Sequence, residues 1–504
     1  MVSALRWLAP VVAVVALAAC GPGTPSENAD CPGADLENDP LNCGACGNAC
    51  AAVETCQSGD CSSECSPGDT MDCYDGPLST LDRGPCVGGT RSCLPNRQWS
   101  LCQGQVLPTE EVCGNGIDED CSGTPDQDLD IDQDGFSTCD GDCCDDTSGC
   151  TRPELVNPGS FDAAGNEVDD DCDGLIDNTV TACDTGLPSG STDGNDYAKA
   201  MDLCTTTTEA SGRWGVISAT LSLASGTGAP NVNGHSIRPN FGPGTLPQGG
   251  GGMALLSSGA AAAVGQSNPA HVDFELSLNQ MTSSPFPADW LAANMGILPN
   301  LAGCPPINEP SMAEDSQMLT LRVRVPTNAK SFSFASNFFS AEFPEYVCSP
   351  YNDFYVALLD STWSGQPANP TDKNLAFYRQ PSTMQIYPVG VNLGFGDTGL
   401  FTQCVNGGTG CAFASTPGTI STCTGIDQLA GTGLETSSPF DCDTNSVQGG
   451  ATGWLQTSGN VVGGEIITLR IAIWDTSDHV LDSLVALDNF QWSVDVTDPG
   501  TIPD

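Results

Sequence analysis

Two stretches of this chain repeat one arrangement of carboxylates: "GNGIDEDCSGTPDQ" at residues 114–127 and "GNEVDDDCDGLIDN" at residues 165–178. Aligned, they share Gly-Asn-x-(Ile/Val)-Asp-acid-Asp-Cys-(Ser/Asp)-Gly-x-x-Asp. Asp118, Asp120, Ser122 and Asp126 stand at relative positions one, three, five and nine, as do Asp169, Asp171, Asp173 and Asp177. Between the two blocks, "DIDQDGFST" carries Asp130, Asp132 and Asp134, then Gly135, with Phe136 placed to offer its carbonyl. Alternate oxygens followed by a glycine let a loop curl until its carboxylates converge on one centre.

Convergence without a cation is unfavourable. Two unit charges 4 Å apart repel by about 1 kcal/mol in water and about 4 kcal/mol at an effective dielectric of 20. A hard divalent ion reverses that sign. Oxygen-only donors favour calcium over zinc or copper, and a flexible loop suits calcium better than octahedral magnesium. These loops are not EF-hands, which need a glutamate at position twelve; Leu129, Gly141 and Val180 stand there instead. The expectation is therefore structural calcium held weakly, with dissociation constants of roughly 10⁻⁴–10⁻³ M. The competing expectation is that the acids merely solvate a disulfide-knotted linker. Residues 110–178 hold 22 acidic side chains against a single base, Arg152.

The elements that position these loops begin with an export signal. Arg6 precedes an uncharged run from Trp7 to Ala19, and small residues lead to Cys20. This is the charged, apolar and small-residue order of a secretory signal, too short to span a bilayer. Leu17-Ala18-Ala19-Cys20 resembles the bacterial lipobox, in which the cysteine becomes the lipidated first residue. With Gly21 following, that resemblance implies an outer-membrane lipoprotein. Of 27 cysteines, removing Cys20 leaves an even 26, of which 20 lie between residues 31 and 204. An even set in an exported chain reads as disulfides. These would replace a core that the N-terminal third has too few large apolar residues to build.

Composition and spacing divide the chain into a signal (1–19), a lipidated tether (20–30), a six-cysteine module (31–61) and a disulfide-rich β module (62–107). The acidic repeats (108–180), a linker (181–194), a long β domain (195–496) and a tail (497–504) follow. In "LTLRVRV", Leu319, Leu321, Val323 and Val325 alternate with polar residues, and Ile467, Leu469, Ile471 and Ile473 do the same in "ITLRIAI". Period-two alternation between turn signals means half-buried strands of a sandwich or jelly roll. "PADWLAANMGIL" suits one short helix, and Trp214, Trp454, Trp474 and Trp492 are expected in the core. The fold class is thus mainly β: a disulfide-rich, calcium-loop N-terminal region followed by a large sandwich or jelly-roll-like domain.

Three stretches resemble known families. "NCGACGNAC" is similar to small cysteine-rich modules on exported proteins of myxobacteria and their relatives. "EVCGNGIDEDCSG", "DIDQDGFSTCDGDCCDD" and "NEVDDDCDGLIDN" resemble the MopE-type metal-binding repeat. That family is associated with copper, which makes copper the rival ion. Soft copper(I) wants thiolate, thioether or imidazole, and residues 103–182 contain no Met or His. "MDLCTTTTEASGRWGVISATL", "QGGGGMALLSSGAA", "FASNFFSAEFPEYVCSPYNDFYVALLD" and "GGEIITLRIAIWDTSDHVLDSLVALDNFQW" resemble the choice-of-anchor L domain of bacterial surface proteins. The resemblance implies an exported β-rich module that reaches the surface through an anchor, here Cys20. Cysteines 304, 348, 404, 411, 423 and 442 could form three internal bridges, leaving Cys204 for a partner such as Cys183.

An enzyme is not expected. The three histidines are His235, His271 and His479, with no Gly-x-Ser-x-Gly elbow and no His-Glu-x-x-His motif. A His479–Ser483 pairing is the weaker reading beside a histidine on a surface loop. The polar pairs Asn352-Asp353 and Asp488-Asn489 either satisfy loop backbone or hold a further calcium or a glycan hydroxyl. A formal charge of −49 argues against nucleic acid as a partner. The leading expectation is a cell-surface lipoprotein, membrane-anchored at Cys20, with a calcium-binding stalk displaying a β-sandwich for adhesion or surface structure. Its partner would be a surface protein or polysaccharide. Metal (copper) capture, and a hydrolase or glycan-binding module in the C-terminal domain, are the alternatives.

Overall fold

The computed structural model describes residues 35–504, apart from 51–53, 63–64, 110, 127–129, 148–149, 179–181, 279–280, 302, 306–311, 396–397, 413–419, 436–441 and 443–448. The expected signal, the tether and Cys20 lie outside the described residues. The chain divides into two compact units, Met1–Asp128 and Leu129–Asp504. The divide falls within the acidic repeats, so the first block belongs to one unit and the other two blocks to the second.

The first unit is held by sulfur. Strands β1 (Thr55–Gln57) and β2 (Asp60–Ser62) form a hairpin, as do β3 (Thr70–Cys73) and β4 (Gly89–Ser92). Bridges Cys43–Cys56 and Cys50–Cys61 staple the first, and Cys65–Cys93 and Cys73–Cys102 the second. Every buried apolar residue described before residue 129 is a cysteine, whereas Leu101 is 85% exposed. Cross-links supply what a core supplies elsewhere, each worth about 2–4 kcal/mol by restricting the unfolded chain.

The second unit is an antiparallel sandwich. Strands β5 (Gly215–Ser222), β6 (His235–Arg238), β7 (Met253–Ser257), β8 (Ser283–Ser284), β9 (Ala313–Arg324), β10 (Ser331–Ser340) and β11 (Phe354–Asp360) come first. After two small hairpins (β12, Phe377–Arg379 with β13, Ile386–Pro388; β14, Gly407–Gly408 with β15, Ile420–Ser421) come β16 (Gly450–Asn460), β17 (Ile466–Thr476), β18 (Ser483–Ser493) and β19 (Gly500–Pro503). One sheet runs β19-β16-β10-β18-β7-β6, and the other β11-β17-β9-β5 with β8 beside β9. Gly500–Pro503, expected in a tail, is an edge strand on β16, because its backbone groups find partners there.

The alternation in β9 and β17 falls as expected: Leu319, Leu321, Val323, Ile467, Leu469, Ile471 and Ile473 face the shared core with Phe332, Phe334 and Phe338 of the opposite sheet. Both sheets are also covered outside. Helix α2 (Ala288–Ala293), with Trp290 and Phe286, packs on Met318, Phe354 and Trp474; α1 (Gly194–Lys199) packs Tyr197 and Ala198 into the main core. Phe241, Phe274 and Leu429 cover Met253, Phe339 and Leu484 of the other sheet. Of the four tryptophans expected in the core, Trp474 is fully buried, while Trp214, Trp454 and Trp492 are half-buried. Bridges Cys183–Cys204, Cys304–Cys348, Cys404–Cys423 and Cys411–Cys442 realise the expected C-terminal set.

Because cavity and transfer terms add, Phe338→Ala is expected to cost about 3–5 kcal/mol. Leu101→Ala should cost less than about 0.5 kcal/mol. Chemical denaturation of the full chain measures both.

Candidate metal centres

In the first block Ser122 donates its backbone N–H to Asp118 Oδ1 and Asp120 Oδ1 at 3.0 and 2.8 Å, and Gly123 donates to Asp118 Oδ2 at 3.0 Å. These bonds curl the loop as the alternate spacing requires. Glu111, Asp118 and Asp120 each bring an oxygen within 4.8 Å of the others. Gly84 allows Asp118 to sit where it does: a Cβ there would lie 2.5 Å from Asp118 O and 2.9 Å from Oδ2. Cys121 occupies the left-handed region at φ 58° and is pinned to Cys86; Cys172 does so at φ 56° and is pinned to Cys143.

The third block repeats the geometry. Asp173 N–H donates to Asp169 Oδ1 and Asp171 Oδ1 at 3.1 and 3.3 Å, and Gly174 to Asp169 Oδ2 at 2.9 Å. Burial, then the charges of Asp173, Asp162 and Asp169, push Asp171 up to about 6. The position-nine acids also fasten the loops. Asp126 accepts from the backbone of Asn115 and Gly116, and Asp177 from Gly165, Asn166 and Glu167. They close each loop on its own Gly-Asn turn by accepting its amides. The missed acids are Glu111, which takes the N–H groups of Asp120 and Asp126, and Asp162, which takes those of Asp170 and Asn178. Each precedes the first aspartate of its block by the same spacing, a signal visible in the aligned sequence.

The second block is the most crowded. Asp134 N–H donates to Asp130 Oδ1 and Asp132 Oδ1, both at 3.1 Å. Asp142 and Asp145 join it from outside the repeat: Asp132, Asp134 and Asp142 converge within 4.8 Å, as do Asp130, Asp132 and Asp145. Asp142 is only 4% exposed. Asp142 Oδ2 and Asp132 Oδ2 are buried without a hydrogen-bond partner. Burial pushes Asp134 and Asp142 up to about 6, and neighbouring carboxylates push the same way. Asn157 bridges the loop to the sandwich: its Nδ2 donates to Asp134 Oδ2 at 2.6 Å, and its Oδ1 accepts from Thr327 Oγ1 at 2.8 Å. Phe136, expected to lend its carbonyl, lodges its ring against Gly159 and Gly212, where a Cβ would intrude to 2.7 and 2.9 Å.

The C-terminal polar pairs divide between roles. Asn352 Oδ1 accepts from Asn392 N–H at 2.8 Å. Asp353 Oδ1 accepts from Thr476 N–H at 2.9 Å and Oδ2 from Ser483 Oγ at 2.7 Å. Asp488 Oδ2 accepts the amides of Gln248 and Gly249, and its Oδ1 accepts that of Asn489, whose own Oδ1 accepts from Gln491. The glycine run 249–252 exists for this packing: a Cβ on Gly249 would lie 2.2 Å from Asp202 Oδ2, and one on Gly250 2.3 Å from Asp184 Oδ2. Both ring nitrogens of His479 face carboxylates, Nδ1 Asp315 at 2.8 Å and Nε2 Glu314 at 3.5 Å. Ser483 Oγ donates instead to Asp353 and lies 3.0 Å from Ser340 Oγ. The imagined serine–histidine pairing is thus absent among the hydrogen bonds of the described residues.

Burial pushes Asp488 up to about 7 and Asp202 up to about 6. An acid raised in the folded state binds its proton more tightly there, so this stabilisation is full below about pH 4 and is lost as pH rises through the folded value. At constant calcium, the melting-temperature advantage of wild type over Asp488→Asn should therefore shrink as pH rises from about 4 to 8; a flat or growing difference would contradict it. No protein-family model, curated protein or solved structure matches the chain.

Proposed function

We propose that the chain is an exported, lipid-anchored surface protein whose acidic loops take calcium as a structural ion and whose sandwich is displayed for adhesion or surface structure. The observation that carries the cation is the second block. Asp132 and Asp142 each hold a buried, unpartnered oxygen within a cluster of five carboxylates that includes them. Oxygen-only donors select a hard ion, and calcium accepts the irregular geometry of a curled loop. The paired cysteines support an oxidising compartment. Among the described residues no helix is long and apolar enough to cross a membrane, so attachment in this reading rests on Cys20.

Chelation should speed proteolysis within residues 130–178 several-fold, and added calcium should restore resistance. In Asp132→Asn/Asp142→Asn that calcium protection is expected to vanish around residues 130–146 and to persist around the third block. If chelator leaves the cleavage rate unchanged, the loops need no cation. The full chain is the proper sample, since Asn157 and Thr327 tie the second block to the sandwich. Isothermal titration with calcium, copper(I) and copper(II) distinguishes structural calcium from copper capture: tighter copper binding abolished by Asp142→Asn would favour capture. For the anchor, Cys20→Ala should release the protein from membranes and abolish labelling by radioactive fatty acid.

A further inference from the structure

The sandwich contains a second set of acids that neither the repeats nor the surface explains. Asp475 is the penultimate residue of β17, Asp353 immediately precedes β11, and Asp482 immediately precedes β18. Register brings them to one end of the sandwich. Phe354 pairs with Trp474 within one sheet, and Ser340 pairs with Ser483 within the other. Ser483 Oγ then links the two sheets, lying 2.7 Å from Asp353 Oδ2 and 3.0 Å from Ser340 Oγ. Glu342, just past β10, adds another carboxylate.

All four acids are essentially inaccessible: Asp475 is 0% exposed, and Asp353, Asp482 and Glu342 are 1% each. Both oxygens of Asp475 and both of Asp482 lack any hydrogen-bond partner, as does Glu342 Oε2. Among the described residues no lysine or arginine forms an ion pair with any of them. His479, in the same loop as Asp482, is taken up by Asp315 and Glu314. Room for Asp482 is reserved by Gly259, where a Cβ would lie 1.8 Å from its Oδ2.

We propose that Asp353, Asp475 and Asp482 bind a hard divalent cation of the calcium class between the two sheets. A buried charge persists only when paired, coordinated or neutralised by a proton. A proton shared by Asp353 and Asp475 would still leave both oxygens of Asp482 bare, whereas one cation satisfies acids from both sheets at once. The donors are all oxygen, as hard ions require. Exposed Ser477 and half-buried Asp478 lie in the turn between β17 and β18 that also carries Asp482. The ion would clamp one sheet, through Asp353 and Asp475, to Asp482 on the other.

The test is metal content of the full-length protein after dialysis that clears weakly held ions. Wild type is expected to keep one equivalent of calcium, and exhaustive chelation to lower its melting temperature by about 5–10 °C. Asp475→Asn/Asp482→Asn should lack that equivalent, while Asp132→Asn/Asp142→Asn keeps it. Equal calcium in wild type and Asp475→Asn/Asp482→Asn overturns the proposal. So does a higher melting point for that variant with unchanged metal, which would mean relieved repulsion alone. Should it fail to fold, the loop variant Asp118→Asn/Asp132→Asn/Asp171→Asn decides, because its retaining no calcium equally refutes the site.

Discussion

Everything in this protein answers to the repulsion among carboxylates that have almost no bases to pair with: 63 acids share 14 lysines and arginines. The few bases are used sparingly. Arg470 and Lys373 grip Asp289, and their hydrogen bonds, Arg470's first, hold its carboxyl well below the ordinary range. Most other acids are met by backbone N–H groups. Asp126 and Asp177 close on Gly-Asn turns, and Asp184 and Asp488 close on the glycine run at 249–252. An amide donor is a partial positive charge that the chain always has in supply, and glycine lets carboxylates approach it. Among the described residues, the carboxylate oxygens that amides leave unmet gather at the Asp130–Asp145 cluster and the sandwich end, with Asp184 Oδ1 besides.

The same scarcity of conventional stabilisation shapes the two units differently. Before residue 129 the buried apolar residues described are all cysteines, so order there comes from restricting the unfolded chain rather than from burying hydrocarbon. The sandwich does the opposite. It buries Phe332, Phe334, Phe338 and the aliphatic faces of β9 and β17 between its sheets, then covers both outer faces with loops and α2. A frame of that kind can hold ionisable groups in its interior, because neighbouring packing leaves them no alternative position.

The two aligned blocks show how one chemical device is kept while its details vary. Ser122 and Asp173 differ in side chain, yet the backbone N–H of each donates to the same two preceding aspartates. Glu111 and Asp162 differ in length, yet each receives amides from its own loop. Backbone geometry carries the design, and side chains need only present an oxygen at the right place. This also explains why the central repeat can lack a position-nine acid and recruit Asp142 and Asp145 instead.

Local order along the chain was sufficient to read the β class, the facing residues of β9 and β17, the cysteine cross-linking and the curling of the acidic loops. Each follows from spacing between near neighbours, which is set covalently. The amides that Asp126 and Asp177 accept, and the seat of the Phe136 ring, were not legible, because spacing says where a group can reach, not which of several nearby partners it meets. Tertiary structure alone decided that Asp142 and Asp145 join Asp132, that Trp290 covers the outer face of Trp474, and that Asp353, Asp475 and Asp482 share one dry end of the sandwich. Those groups lie on separate strands and loops, and nothing in their immediate neighbours encodes which strand ends will meet. Strand pairing sets that, and with it the low-dielectric surroundings that turn ordinary aspartates into groups needing a counter-charge.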